Sequence, residues 1–598
     1  MQKFLLLLSL LILFNCKETN TNETSKEVSS TYTISFENAV HHEAIVHVTF
    51  TNLKAGEIEF RMSRTSPGRY ALHEFAKNVY AVKVTDNDGN ALDVTRPDPY
   101  SWKVKAHDGT INVNYTLFAN RGGGTYAQID ETHAHLNMPA TFMYVPSLEK
   151  EEMKVTFNVR EDLNWKIATQ LKHDDGNTYS AKDLQYFMDS PTEISNYNVR
   201  SFEVGGQTIY FVLHHNGTEA ELDEYFEKVK KIVLQEKTIF GELPEFDFNE
   251  YRFLACYIPN ASGDGMEHRN STICASTRSL ADGGMDRNIG TISHEFFHCW
   301  NVERIRPQSL EPFNFEEANM SGELWFAEGF TSYYTSLMMC RAGLRTQEEH
   351  ITRLSRSFNA VWNSPGRQFF NPIEMSYQAP FVDAARSVDP NNRDNTFISY
   401  YTYGDMLGLA LDLSLRENNL NLDDFMKLVW NTFGKDEIPY TVKDLHTTLN
   451  AFAGQEFGDQ FFNNYIYKSK MPDMKRLLSN VGVSLTQDKN KVSFGASARE
   501  GKILRNTKMG SSAYNAGLEN GDKIIKVGDF TLNDDLDFNT IINRFKPADV
   551  VNITYERFGN TRETTATLQE SNSYIIALFE DANDVQKANR DAWLNSKH

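Results

Sequence analysis

Cysteine is scarce in this chain, with five in 598 residues, and no two of them form a C-x-x-C pair, which excludes a zinc knuckle of that kind. Cys16 stands apart near the start. For Cys256, Cys274, Cys299 and Cys340 the spacing leaves one disulfide and buried free thiols both open. Long apolar runs are missing too: no stretch reaches the roughly 20 residues that a membrane-spanning helix needs. Basic charge is in short supply, with 60 Lys and Arg against 80 Asp and Glu. A net charge of -20 repels phosphate backbones and anionic lipid surfaces, so no nucleic-acid partner is expected. Repeats and low-complexity tracts are absent as well, which leaves a folded chain whose length suits three or four units.

The first unit is a leader. Lys3 is followed by an apolar run from Phe4 to Phe14, the length of a signal-peptide core, so residues 1–15 are expected to be removed. Cys16, placed directly after that run, resembles a bacterial lipoprotein processing site, where the Cys becomes an acylated N-terminus. Residues 16–30, rich in Thr, Glu, Asn and Ser, then read as a lipid-anchored tether. The expected location is outside the cytoplasm, as a periplasmic, outer-membrane or cell-surface lipoprotein of a Gram-negative bacterium. Contact with the membrane is expected only through the anchor at Cys16.

Residues 31–204 alternate apolar and polar positions in short runs, such as Tyr32-Thr-Ile-Ser-Phe36 and Ala44-Ile-Val-His-Val-Thr-Phe50, broken by Asn, Asp and Gly turns. This predicts an N-terminal β domain. Residues 205–480 open with a strand at Ile209 to His214 and turn to helical periodicity over Ile289 to Val302, Leu324 to Met339, Thr346 to Trp362 and Met406 to Leu415. A mostly helical catalytic domain is expected there. Residues 485–570 resemble the PDZ domain of bacterial proteases, on the stretch Gly510-Ser-Ser-Ala-Tyr-Asn-Ala-Gly517-Leu-Glu-Asn-Gly521-Asp522 and the strand that follows. Gly517 and Gly521 suit a helix end and a turn at positive φ, and Leu536 to Phe545 predicts a helix beside the groove. Such domains take extended peptides or protein C-termini on a sheet edge, which makes a peptide the expected partner here. Residues 571–598 are left as a C-terminal tail. The overall fold class is multidomain α+β.

The chemistry sits in Ile292-Ser-His294-Glu295-Phe-Phe-His298. Residues four apart share one helical face, so both imidazoles can meet one ion while Glu295 stands beside its water rather than on the metal. Two nitrogen donors and one carboxylate suit zinc, with three protein ligands and one open position. Two acids compete for the third place: Glu317 lies 19 positions after His298 and Glu328 lies 30 after it. Glu328 is preferred, because Leu324-Trp-Phe-Ala-Glu-Gly-Phe-Thr-Ser-Tyr-Tyr334 reads as an apolar helix that can hold a carboxylate rigidly, whereas Glu317 sits in a loop-like stretch.

The run from His294 to Pro307, together with Trp325-Phe-Ala-Glu-Gly-Phe-Thr-Ser-Tyr-Tyr334, resembles the glycyl aminopeptidase family of zinc gluzincins. That resemblance implies a β-rich N-terminal domain, a thermolysin-like catalytic domain and a PDZ domain, in the order expected here. It implies one zinc per chain and an aminopeptidase acting on peptides with small first residues such as Gly or Ala. Gly263-Asp-Gly265-Met266-Glu267 resembles the family's Gly-Met-Glu strand, which implies a substrate-binding role for Gly265, Met266 and Glu267, with Glu267 on the free α-amino group. Tyr400-Tyr401-Thr402-Tyr403-Gly404 resembles the Tyr-x-Lys-Gly motif of related aminopeptidases and implies Tyr401 as the oxyanion donor, with Tyr400 and Tyr403 as rivals. Two other functions fit parts of the pattern: a zinc endopeptidase, and a surface peptide-binding protein with a vestigial metal site.

Overall fold

The computed structural model describes residues 28–384, 392–533 and 536–598. The expected signal segment, Cys16 and most of the expected tether lie outside the described residues, and from Val28 the chain is already a strand, Val28–Ser35. This strand buries Tyr32 and Ile34 on one face and joins a seven-stranded sheet, parallel to Glu152–Asn158 and antiparallel to Glu43–Phe50. A three-stranded and a four-stranded sheet complete the N-terminal domain. Its core includes Tyr32 stacked on Phe187 at 4.9 Å, with Phe142 edge-on to Tyr32 at 5.1 Å.

The catalytic region opens on a five-stranded sheet whose order is Asn198–Val204, Gln207–His215, Glu250–Tyr257, Ser271–Ser276, Asp264–Glu267. Its first strand was expected at the end of the β domain. Gly205 and Gly206, at φ 62 and 79, turn it back as a hairpin onto Gln207–His215, so the boundary falls before Asn198. The last strand, Asp264–Glu267, is an edge strand that among the described residues pairs only with Ser271–Ser276.

Helix Glu219–Phe240 starts with a Thr218 and Glu221 capping box, ends at Gly241 in the left-handed region, and buries Leu222, Tyr225, Val229 and Ile232. Helices Ile289–Phe297, Gly329–Arg341, Gln347–Trp362 and Tyr400–Arg416 follow, and their apolar faces merge with this sheet into one core. Among the described residues no helix is long and apolar enough to cross a membrane.

The PDZ region forms its own six-stranded sheet over a core of Phe494, Ile503, Leu518, Ile524, Val527 and Ile553. Gly517 and Gly521 take φ 72 and 90, as expected. The groove-side helix is shorter than expected, Phe538–Ile542, with Asp537 capping it. Residues 571–598 are not a free tail. Strand Tyr574–Leu578 pairs with Val483–Gln487, and helix Asp584–Leu594 drives Trp593, fully buried, into the catalytic core. Trp593 Nε1 donates to the Tyr333 hydroxyl at 2.9 Å. Only Trp593 and Leu594 of this helix are buried, both in its last turn.

Candidate metal centre

Helix Ile289–Phe297 buries Ile292, Phe296 and Phe297 in the core, which turns His294 and Glu295 toward the edge strand and leaves His298 at its C-terminal cap. The two Nε2 atoms lie 3.2 Å apart. Glu328 stands at the junction of helices Leu324–Ala327 and Gly329–Arg341, with Oε2 at 3.2 Å from His298 Nε2 and 3.5 Å from His294 Nε2. Tetrahedral zinc bonds of about 2.0–2.2 Å place ligand atoms roughly 3.3 Å from one another. Glu328 Oε2 is buried and has no hydrogen-bond partner, the state of a donor aimed at something other than protein. These three residues therefore fit a divalent ion.

Each donor is held from behind. His298 Nδ1 donates to the Asn301 carbonyl at 2.6 Å, which leaves Nε2 free as a lone-pair donor. His294 Nδ1 faces Thr335 Oγ1 at 3.1 Å, and that hydroxyl in turn donates to the Thr331 carbonyl at 2.8 Å. Tyr70 of the N-terminal domain donates its hydroxyl to Glu328 Oε1 at 2.7 Å, which orients Oε2 toward the histidines. Nothing in the local sequence around Tyr70 marks it, since its role depends on a partner 258 positions away.

The electrostatics are those of a cation site. Burial pushes the Glu328 carboxyl up, but His298 and His294 beside it hold it well below the usual carboxylate range. Burial lowers His298, yet Glu328 and Glu267 overcome this and lift it to about 10. Two further carboxyls, Glu295 and Glu267, are raised above the ordinary value, chiefly by burial. Donor atoms of Glu267, Glu295 and His298 come within 4.8 Å of one another.

Glycines set the distances. A Cβ on Gly265 would lie 2.1 Å from Glu295 Oε1, so the missing side chain is filled by the Glu295 carboxylate. At Gly329 a Cβ would fall 2.3 Å from Gly404 Cα, and at Gly404 one would fall 1.9 Å from the Trp325 carbonyl oxygen. This close crossing brings helix Tyr400–Arg416 against the Glu328 segment and sets the Tyr401 ring 5.9 Å from the His294 ring. Tyr401 is half-buried and lines a cavity of about 570 Å³ with Arg69, Tyr70, Gly263 and Asp264. Tyr400 is buried between Tyr401 and Tyr70, whereas Tyr403 is buried away from this cavity.

The strand Asp264–Glu267 shows its two faces. Gly265 and Glu267 turn toward the metal centre, while Met266 is fully buried against Ser66, Gly68 and Gly124 of the N-terminal domain. Met266 thus seats the β domain rather than lining the cavity. Arg69 clamps the same strand, with Nη2 donating to Asp264 Oδ1 at 2.5 Å and to the Gly265 carbonyl at 3.2 Å. Glu317 is exposed and takes no part, because Phe313 and Phe315 of its loop are drawn into the N-terminal core. Cys256, Cys274, Cys299 and Cys340 are free and buried.

Two imidazoles, a carboxylate and an adjacent buried acid on this α+β scaffold define a metallopeptidase. The family models match in sequence order: the Peptidase M61 N-terminal domain over residues 31–196, the M61 glycyl aminopeptidase over 287–407 and a PDZ domain over 479–568. The chain thus carries an M61 N-terminal domain, an M61 glycyl aminopeptidase domain and a PDZ domain, in the β-rich, helical and PDZ order expected from the sequence. Among solved structures, an aminopeptidase N family protein from Idiomarina loihiensis shares the fold at a TM-score of 0.83 and 24% identity, over 95% of this chain and 100% of that one. A mutant M1 zinc metallopeptidase from Deinococcus radiodurans bound to Tyr-Ser-Ala is similar at a TM-score of 0.45 and 13% identity, over 74% and 95%. No curated protein matches the chain in sequence.

Proposed function

We propose that the protein is a zinc aminopeptidase that releases the first residue of peptides. In this reading His294, His298 and Glu328 hold one zinc, Glu295 is the general base, Glu267 binds the substrate's α-ammonium and Tyr401 is the oxyanion donor. The observation that carries it is Glu267: a carboxylate only 6% exposed, beside the donor cluster, that forms no ion pair among the described residues. A buried acid without a cation is a place for one, and a peptide's free amino terminus supplies it at a fixed distance from the first peptide bond.

When bound, zinc supplies Lewis acidity toward the peptide carbonyl and lowers the pKa of a water to near 7. Glu295 takes the proton from the attacking water and delivers it to the nitrogen of the departing amine, so one C–N bond breaks as one C–O bond forms. The Tyr401 hydroxyl donates to the carbonyl oxygen as charge develops there. Tyr70, Tyr400 and Tyr401 wall the space next to Glu328, which supports a small first residue such as Gly or Ala.

Export with lipid attachment at Cys16 forms part of the proposal, supported by the apolar run before that residue. So does docking of an extended peptide on the PDZ domain. Aminoacyl-fluorophore substrates and their N-acetylated forms, assayed with and without chelator, test the catalytic reading. Chelator-sensitive cleavage of free-amine substrates only is expected. Equal cleavage of acetylated peptides would make the protein an endopeptidase, and bound zinc without cleavage of any substrate would make it a binding protein.

A further inference from the structure

A second cluster of metal-binding side chains lies away from the catalytic centre, where the N-terminal domain meets the catalytic sheet. His133 and Glu193 come from adjacent strands of the four-stranded sheet, His133–Leu136 and Thr192–Ser195. His214 and Cys256 are register partners on the parallel strands Gln207–His215 and Glu250–Tyr257. All four are buried, at 0%, 1%, 7% and 3% exposure. Their donor atoms lie within 4.8 Å of one another.

Cys256 Sγ is within weak hydrogen-bond reach of both imidazoles, but the separations to Glu193 Oε1 are too long for hydrogen bonds. His133 Nδ1 is 3.5 Å and His214 Nδ1 3.6 Å from the same Glu193 oxygen, Oε1, beyond a normal N–H to O bond. Glu193 Oε1 accordingly has no hydrogen-bond partner although it is buried. Cys256 Sγ lies 3.7 Å from His133 Nδ1 and 3.5 Å from His214 Nδ1. A tetrahedral ion with bonds of about 2.3 Å to sulfur and about 2.0–2.1 Å to nitrogen or oxygen spaces its ligands by roughly 3.3–3.6 Å. Both imidazoles thus stand 3.5–3.7 Å from the thiol and from the carboxylate oxygen, close to the spacing an ion requires, and all four donors lie within 4.8 Å.

The surroundings match as well. The other Glu193 oxygen, Oε2, accepts from His135 Nδ1 at 3.0 Å. An outer imidazole of this kind fixes ligand orientation at metal sites. Ala168, Val212 and Leu254 form a small apolar cluster between the same two sheets, so the seam is packed.

We propose that His133, Glu193, His214 and Cys256 hold a second, structural zinc that fastens the N-terminal β domain to the catalytic sheet. Four protein ligands close the coordination sphere, which separates this site from the three-ligand centre at His294 and assigns it no catalytic step. The donor set, one sulfur with two nitrogens and one oxygen, is borderline-soft and suits zinc rather than calcium or magnesium. Fixing this seam also fixes Arg69 and Tyr70, which reach from the β domain to the Gly265 strand and to Glu328.

The test is metal counting on the full chain purified without chelator, followed by cobalt replacement and near-ultraviolet absorption. Two zinc equivalents are expected in the native chain, and a sulfur-to-cobalt charge-transfer band in the cobalt form. His294→Ala should lose one equivalent and keep the band, while Cys256→Ser should lose one equivalent together with the band. One equivalent in the native chain that disappears in His294→Ala, or cobalt protein without a sulfur band, overturns the proposal. If Cys256→Ser does not fold, the band in His294→Ala decides alone. Failure of the catalytic assignment reads differently, as two equivalents retained in His294→Ala.

Discussion

Replacing Gly265 by Ala should disable the enzyme without removing its metal. The added Cβ would fall 2.1 Å from Glu295 Oε1, 2.7 Å from Glu295 Cδ and 2.8 Å from Thr291 Cγ2. Ordinary carbon contacts sit at about 3.5–4.0 Å, so the carboxylate must retreat by roughly 1 Å or more. Because that carboxylate is the far end of a flexible side chain, it yields before the backbone does, and the fold survives. A misplacement of about 1 Å in a reacting group costs on the order of 10²-fold, about 2.7 kcal/mol of barrier. The assay is kcat on an aminoacyl fluorophore, with zinc content and Tm measured on the same samples. Zinc and Tm should match the native protein while kcat falls about 100-fold. Gly263→Ala is the control, since its Cβ would meet nothing within 4 Å, and turnover should persist. Native kcat in Gly265→Ala would refute the placement of Glu295 as the base.

Glu295→Gln should keep zinc and lose roughly 10²–10⁴-fold in kcat, whereas Glu328→Ala should lose the catalytic zinc itself, read by metal analysis. Tyr401→Phe should cost about 2.7–4 kcal/mol in kcat/KM, and Tyr403→Phe, whose ring lies away from the cavity, should leave kcat/KM near native. Trp593→Ala empties a fully buried site that holds the C-terminal helix against Tyr333, and thermal or urea denaturation should show a loss of about 3–5 kcal/mol. Burial pushes the His350 imidazole down to about 3, so the unfolded chain, titrating near 6.5, binds the extra proton. Stability should therefore fall as pH drops from about 6.5 toward 3, and His350→Gln should flatten that slope by up to about 1.4 kcal/mol per pH unit in urea titrations.

What could be read from the sequence follows the range of each signal. The His294 and His298 pair is local, four residues on one helix, and Glu328 was separable from Glu317 because its neighbours are apolar at helical spacing. Gly329 and Gly404 stand in those same motifs, but their purpose, a close helix crossing, needs both helices in space. Tyr70 and Arg69 carry no local signal for the same reason: their partners Glu328 and Asp264 lie 258 and 195 positions away. Met266 shares a strand with Glu267, and strand alternation sends neighbouring side chains to opposite faces. Strand Asn198–Val204 reads as part of the β domain because strand periodicity does not say which sheet a strand joins. Helix Asp584–Leu594 is polar over most of its length and buries only Trp593 and Leu594, so its sequence looks like a solvated tail. The Cys256 cluster draws its ligands from four strands with no short-range spacing at all, so no motif announces it.

The most direct measurement is an anomalous-difference map at the zinc edge from crystals of the full chain. A peak between His294 Nε2, His298 Nε2 and Glu328 Oε2, about 2.0–2.2 Å from each, is the expected result. A map with density at Glu317 instead, or with no peak among these three side chains, would contradict the assignment of the catalytic centre.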